Sequence, residues 1–370
     1  MRGSHGIQAT SLLFCNPAPS LQRLEIHDWN KDIACLPDNF PGQQAPSLRF
    51  ITFSGICPAF ESPFPLPNLA EFNLHLSGST GLFRIDALFR FLSDSPLLQK
   101  IHIRIPGKTV QDIPLDRVIS LESLVELKFA YNSDDRVLPH LKLPRLKQLE
   151  VCSSLRPGQV QKLADTLPYD GHALLAGATK MSYYSKGHLL RLNLSGNGVG
   201  VSFVAFCAKD GHPSVDWFSD QTCIPFGQIE DLKVEIHPTA TGFPISAFAF
   251  ENLSVLRLAP MNVQLIEGFL CLLHPDLAAG VPCRSLRVIE CTWRGPPEPL
   301  LTPLMRLVRE RKRARHQLGL VRLSIAKEFD QSLVKELKRH VGEVRVVVRT
   351  TSTIVSVTFR SMDCSPLQMT

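Results

Sequence analysis

LVELKF at 124–129 and LKQLEV at 146–151 share one pattern, L-x-x-L-x-L, with Ile, Val or Phe allowed at the apolar places. The last two apolar positions alternate with polar ones, so in an extended chain both side chains fall on one face. The same pattern stands upstream as LQRLEI from Leu21, LRFITF from Leu48, LAEFNL from Leu69 and LQKIHI from Leu98. Downstream it returns as LLRLNL from Leu189, IEDLKV from Ile229, LSVLRL from Leu253, LRVIEC from Leu286 and LVRLSI from Leu320. The first six starts lie 27, 21, 29, 26 and 22 residues apart, room for one short strand, a turn and a return. A proline stands two places before the first leucine in five of those six units: Pro19, Pro46, Pro67, Pro96 and Pro144. Proline cannot donate to a ladder and disfavours helix in the residue before it, so it suits the end of a return just before a strand.

Strands repeating at this interval stack in parallel and join their apolar faces into one core. The expectation is an α/β leucine-rich-repeat solenoid, with a curved parallel sheet on the concave side and helices or irregular returns on the convex side. Helical spacing is read over 82–95, 157–167, 263–273, 300–316 and 330–341, the last with Asp330 as its N-cap. Two long gaps, from Leu146 to Leu189 and from Leu189 to Ile229, break the rhythm. They predict an irregular insertion over about 155–226, with a β-hairpin around Asp210-Gly211. The expected organisation is a tail over 1–17, a repeat domain over 18–349, and a terminal strand and tail over 350–370. The β-rich end 343–360 would cover the open sheet edge.

Composition agrees with a folded repeat protein. Leucine supplies 53 of 370 residues, 44% of the chain is apolar and 20% is charged, with mean hydropathy +0.04. No apolar run approaches the length of a membrane helix, and the N-terminus lacks a secretion-signal core. Its MRGSH opening looks like an expression-tag scar. The expected location is cytoplasmic or nuclear, where the ten cysteines would be reduced and mostly buried. None of them forms a C-x-x-C pair, and the twelve histidines contain no H-E-x-x-H, so no metal site is expected. GNGVG at 196–200 runs into β-formers rather than opening a helix, so it is read as a turn with Asn197 at its turn position, not a phosphate loop. No nucleophile elbow or paired carboxylates stand out. The expectation is no enzyme, no catalytic residue and no cofactor. The N-x-[ST] triplets at Asn193 and Asn252 lie within strand units and are discounted as glycosylation sites.

Binding is then expected on the strand face opposite the core. The residues placed there are Arg23, Glu25 and His27; Phe50, Thr52 and Ser54; Glu71, Asn73 and His75; and Lys100, His102 and Arg104. The series goes on through Glu126 and Lys128, Gln148 and Glu150, Arg191 and Asn193, and Asp231, Lys233 and Glu235. It ends with Arg257, Glu290, Thr292, Arg322 and Ser324. Both signs are mixed, which suits a protein or peptide better than the continuous basic track that nucleic acid requires. The formal net charge is +6, and the run 306–315, with six basic residues and one acid, supplies five of it. The run reads as the solvated end of a return-side helix, or as a nuclear-localisation or acidic-partner patch.

APSL units at Ala18 and Ala45, FLSDSPLLQKIHI at 91–103, LSGNGVGVSF at 194–203 and IPFGQIEDLKVEI at 224–236 resemble the leucine-rich-repeat region of fungal, mushroom-type F-box proteins. Trp293 ahead of a basic helix adds to the likeness, which spans about 18–349. The resemblance implies repeats that hold a protein substrate, while an N-terminal F-box docks the adaptor of a cullin-type ubiquitin ligase. The chain departs from that pattern where CLPDNFPG at 35–42 is too broken by proline and glycine to form F-box helices. Adaptor binding therefore requires an F-box upstream. The alternative is a free-standing intracellular scaffold or inhibitor without a ligase link.

Overall fold

The computed structural model describes residues 18–27, 34–35, 45–57, 66–76, 83–105, 109–110, 118–132, 137–155, 160–162, 166–187, 189–207, 214–216, 224–237, 249–259, 263–275, 280–293, 298–325, 331–349 and 354–360. Its main strands in chain order are β1 (Arg23–His27), β2 (Phe50–Ser54), β3 (Glu71–His75), β4 (Lys100–Arg104), β5 (Glu126–Asn132), β6 (Gln148–Leu155), β7 (Lys180–Lys186) and β8 (Leu189–Gly196). They continue with β9 (Val199–Cys207), β10 (Asp231–Ile236), β11 (Val255–Leu258), β12 (Val288–Trp293), β13 (Leu320–Ile325), β14 (Glu343–Arg349) and β15 (Ile354–Arg360). The helices are α1 (Ile85–Ser93), α2 (Gly171–Leu175), α3 (Val263–Leu272), α4 (Glu298–Arg313) and α5 (Gln331–Lys338). The chain is thus mixed α/β, with mostly parallel strands in sheets that do not close on themselves. It divides into two compact units, Met1–Gly177 with Gly198–Ile224, and Ala178–Asn197 with Pro225–Thr370.

In the first unit the strand order is β1-β2-β3-β4-β5-β6-β9, every neighbour parallel. Parallel neighbours need long crossovers, which the spacing of the L-x-x-L-x-L units supplies. Register places the repeat's apolar pair in two continuous rows. One runs Leu24, Ile51, Phe72, Ile101, Leu127, Leu149, Val201, and the other Ile26, Phe53, Leu74, Ile103, Phe129, Val151, Phe203. All but the edge residues Leu24 and Ile26 are buried. At roughly 1.5–3 kcal/mol for each large apolar side chain, these rows are the main source of the unit's stability. Phe53 and Phe72 meet edge-on at 6.1 Å, as do Phe89 of α1 and Phe129 at 6.2 Å. The prolines explain how each strand begins. Pro19, Pro46, Pro67, Pro96 and Pro144 each take the second place of a β-turn. In these turns the N–H of Leu21, Leu48, Leu69, Leu98 or Leu146 donates to the carbonyl three residues back, at 3.0–3.1 Å. Asn68 and Asn252, each just before a repeat's first leucine, stitch turns together by donating to Pro46 O and Gly227 O.

In the second unit the order is β8-β7-β10-β11-β12-β13-β14-β15, with antiparallel pairs at the two ends and parallel pairs between. Its core rows run Leu194, Met181, Leu232, Leu256, Ile289, Val321, Val344, and Leu192, Tyr183, Val234, Leu258, Cys291, Leu323, Val346. Against them lie α3, α4 and α5, which bury Ile266 and Leu270, Leu304 and Leu307, and Val334 and Leu337.

Three local expectations change. The unit starting at Leu189 is not a parallel repeat strand, because β8 runs antiparallel to β7 after a turn at Gly187, whose φ is +53°. Asn197 and Gly198 both have positive φ, 48° and 79°, the left-handed backbone of a tight Asn-Gly turn. The hairpin expected around Asp210-Gly211 lies outside the described residues. Over 157–167, where a helix is expected, Val160–Lys162 is a strand paired in parallel with Ser214–Asp216. A long-range partner outweighs the weak helical spacing there. The other helices form close to their expected bounds, although Phe83–Arg84 is a short strand rather than the start of α1.

Candidate functional site

The polar residues of the strand units fall opposite the core rows, and none of the twenty-six residues placed there is buried. In the first unit three rows cross the exposed face. The first holds Arg23, Phe50, Glu71, Lys100, Glu126 and Gln148. The second holds Glu25, Thr52, Asn73, His102, Lys128, Glu150 and Ser202, and the third His27, Ser54, His75 and Arg104. Strands about 4.8 Å apart make each row a line of side chains in mutual reach.

Glu126 is the electrostatic centre of this face. Its carboxylate lies 2.8 Å from Lys128 Nζ, 3.0 Å from His102 Nε2 and 4.0 Å from Lys100 Nζ. Lys128 and then His102 hold its carboxyl below the ordinary value despite partial burial, and Glu126 raises Lys128 in return. Asn73 Nδ2 donates to Glu71 Oε1 at 2.9 Å and Thr52 Oγ1 at 3.3 Å, tying β2 to β3. At the edge Arg23 pairs with Glu25 at 2.5 Å and lies over the Phe50 ring. His75 is held below its ordinary value by burial and by Arg104, His102 and His27 around it. Glu150 accepts a long contact from Cys152 Sγ at 3.8 Å.

The second unit carries an ion-pair chain on the same side of its strands. Arg257 bridges Asp231 at 3.0 Å and Glu290 at 3.6 Å, and Glu290 also accepts from Arg322 at 2.7 Å. Lys233 meets Glu235 at 3.4 Å, and Arg345 meets Glu343 at 2.7 Å. Arg191 and Asn193 belong to this unit's face, opposite Tyr184 and Ser182 of β7. They do not follow Glu150 along one stripe, because the neighbour of β6 is β9. Ser182, Tyr184, Glu343 and Arg345 are face residues that the repeat pattern misses. Neither β7 nor β14 carries L-x-x-L-x-L, although plain alternation in KMSYYSK and EVRVVVR marks both as strands.

Among the described residues no group of three or more His, Cys, Asp or Glu could hold a metal ion. Cys283 and Cys291 are buried, and burial pushes both thiols up to about 12, away from the nucleophilic thiolate. Cys271 is exposed and Cys152 is half-buried. No helix among the described residues is long and apolar enough to cross a membrane. No protein-family model, curated protein or solved structure matches the chain.

Proposed function

We propose that the chain is a non-enzymatic protein-binding module of the leucine-rich-repeat type, whose exposed strand faces take a surface or extended segment of a protein partner. The observation behind this reading is the registered polar row Glu25, Thr52, Asn73, His102, Lys128, Glu150, in which adjacent side chains come from sequence positions more than twenty residues apart. Such a row offers donors, acceptors and both charges on a rigid lattice, which suits protein recognition. The narrower proposal is a substrate-recognition part of an F-box-type ubiquitin-ligase receptor. It rests on the resemblance of the repeat segments, with the ligase adaptor held by an F-box upstream. The broken CLPDNFPG segment favours the second reading, a free-standing scaffold or inhibitor.

One experiment separates them. Protein expressed from its own full reading frame is used to capture the cullin adaptor, and the lifetime of its bound partner is followed with and without the protein. Adaptor capture with a shortened partner lifetime supports the receptor. A stable partner complex with unchanged lifetime and no adaptor supports the scaffold. If reversing Arg104 and Arg257 to glutamate leaves every partner bound as before, the strand-face reading fails in both forms.

A further inference from the structure

The basic run of α4 does not present its charges as a linear motif. Arg311 points into the core, Arg306 pairs with Glu310, and Arg309 pairs with Glu336 of α5. Lys312 Nζ donates to the carbonyl of Arg339 at 2.7 Å, which fastens the end of α4 to the turn that follows α5. The result is a composite surface of Lys312, Arg313, Arg339 and His340. The three longer side chains are exposed and the imidazole is half-buried. None of the four is ion-paired with a carboxylate among the described residues. Burial and the cations Lys312, Arg309, Arg339 and Arg313 together hold His340 below its ordinary value.

Cations in a last helical turn complement the helix dipole, which accounts for Lys312 and Arg313. Arg339 and His340 directly follow the last residue of α5 and add a further cation and an imidazole at that helix's C-terminal end. Like charges gathered in this way repel each other, and the Lys312 and Arg309 contacts hold them together nonetheless. Such a cluster is complementary to an anion. We propose that the joined ends of α4 and α5 bind an acidic segment of a partner protein, at a surface separate from the strand-face rows. The surface is compact, confined to two helix ends joined by the Lys312–Arg339 contact and bordered by Glu310 and Glu336. A nucleic acid needs a longer track of phosphate contacts.

The test uses the whole chain and a fluorescein-labelled peptide of about eight glutamates, read by anisotropy at low and physiological salt. Arg313→Glu with Arg339→Glu weakens binding by tenfold or more, and affinity in the wild type falls with salt. Arg313→Gln with Arg339→Gln shifts it in the same direction and guards against misfolding of the reversal. Arg104→Glu with Arg191→Glu, on the strand faces, leaves peptide binding unchanged. The proposal is overturned if neither helix-end variant weakens binding, if the strand-face variant weakens it equally, or if a labelled single-stranded oligonucleotide of equal charge binds more tightly than the peptide.

Discussion

At position 311 the apolar face of α4 carries a guanidinium. Leu300, Leu304, Leu307 and Arg311 recur at helical spacing, and all four are buried. Arg311 Nη1 and Nη2 donate to the carbonyls of Pro282 and Cys283 at 2.9 and 3.0 Å, while its Nε is buried without a partner. Desolvation lowers its pKa to about 10, so the charge persists at neutral pH. Truncation leaves a cavity and two unpaired carbonyls. Arg311→Ala therefore costs about 3 kcal/mol in urea unfolding, and Arg306→Ala, at an exposed position, no more than about 0.5 kcal/mol. Equal effects would place Arg311 on the surface. Nearby, α4 ends in a Schellman motif, with His316 N–H donating to Arg311 O and Arg315 N–H to Lys312 O. Arg315 sits there at φ 63°, where glycine is the usual residue. Arg315→Gly is expected to stabilise by about 0.5–1 kcal/mol. An unchanged or lower unfolding midpoint would show that its side chain makes a compensating contact.

Among the elements, β4, β5 and their neighbours show what a registered polar row contributes. Glu126 is largely covered, with 15% of its side chain exposed, but Lys100 and Lys128 are about half exposed and water screens much of the attraction. Glu126→Gln is accordingly worth about 1 kcal/mol at neutral pH. The sign with pH follows from the depressed carboxyl. Its stabilisation is fully present above the ordinary value of 4.5 and is lost as pH falls through the lower folded value. Urea unfolding from pH 7 to pH 3 should show the wild-type advantage over Glu126→Gln vanishing below pH 4.5. An advantage that stays constant across that range would mean the network contributes nothing electrostatic. The strands of this region are legible in the sequence because Leu124, Leu127 and Phe129 bury along one face while Glu126 and Lys128 cannot. β7 and β8 are less legible. Their antiparallel pairing depends on the tight turn at Gly187, while LLRLNL carries the repeat's own pattern.

Across the whole chain, the sequence located the strand faces better than it located the partners within them. Alternation alone puts Arg257 and Glu290 outward, but their mutual contact depends on register between segments about thirty residues apart, which no local pattern encodes. The charged run at 306–315 does end a helix, as one of its two sequence readings has it, but its charge pattern is not local. Its composition is basic, yet packing sends Arg311 inward and brings in Arg339 and His340 from a distant turn. The central claim is that the exposed strand faces meet a protein partner. Its most direct test is a photo-cross-linking residue placed in turn at His102 and Lys233 on the faces, and at Asp94 and Glu267, exposed positions at or beyond the helices. The account predicts one discrete partner adduct from His102 or Lys233, lost when Arg104 or Arg257 is reversed to glutamate, and none from Asp94 or Glu267. Adducts from Asp94 or Glu267 alone, or face adducts indifferent to the reversals, would contradict it.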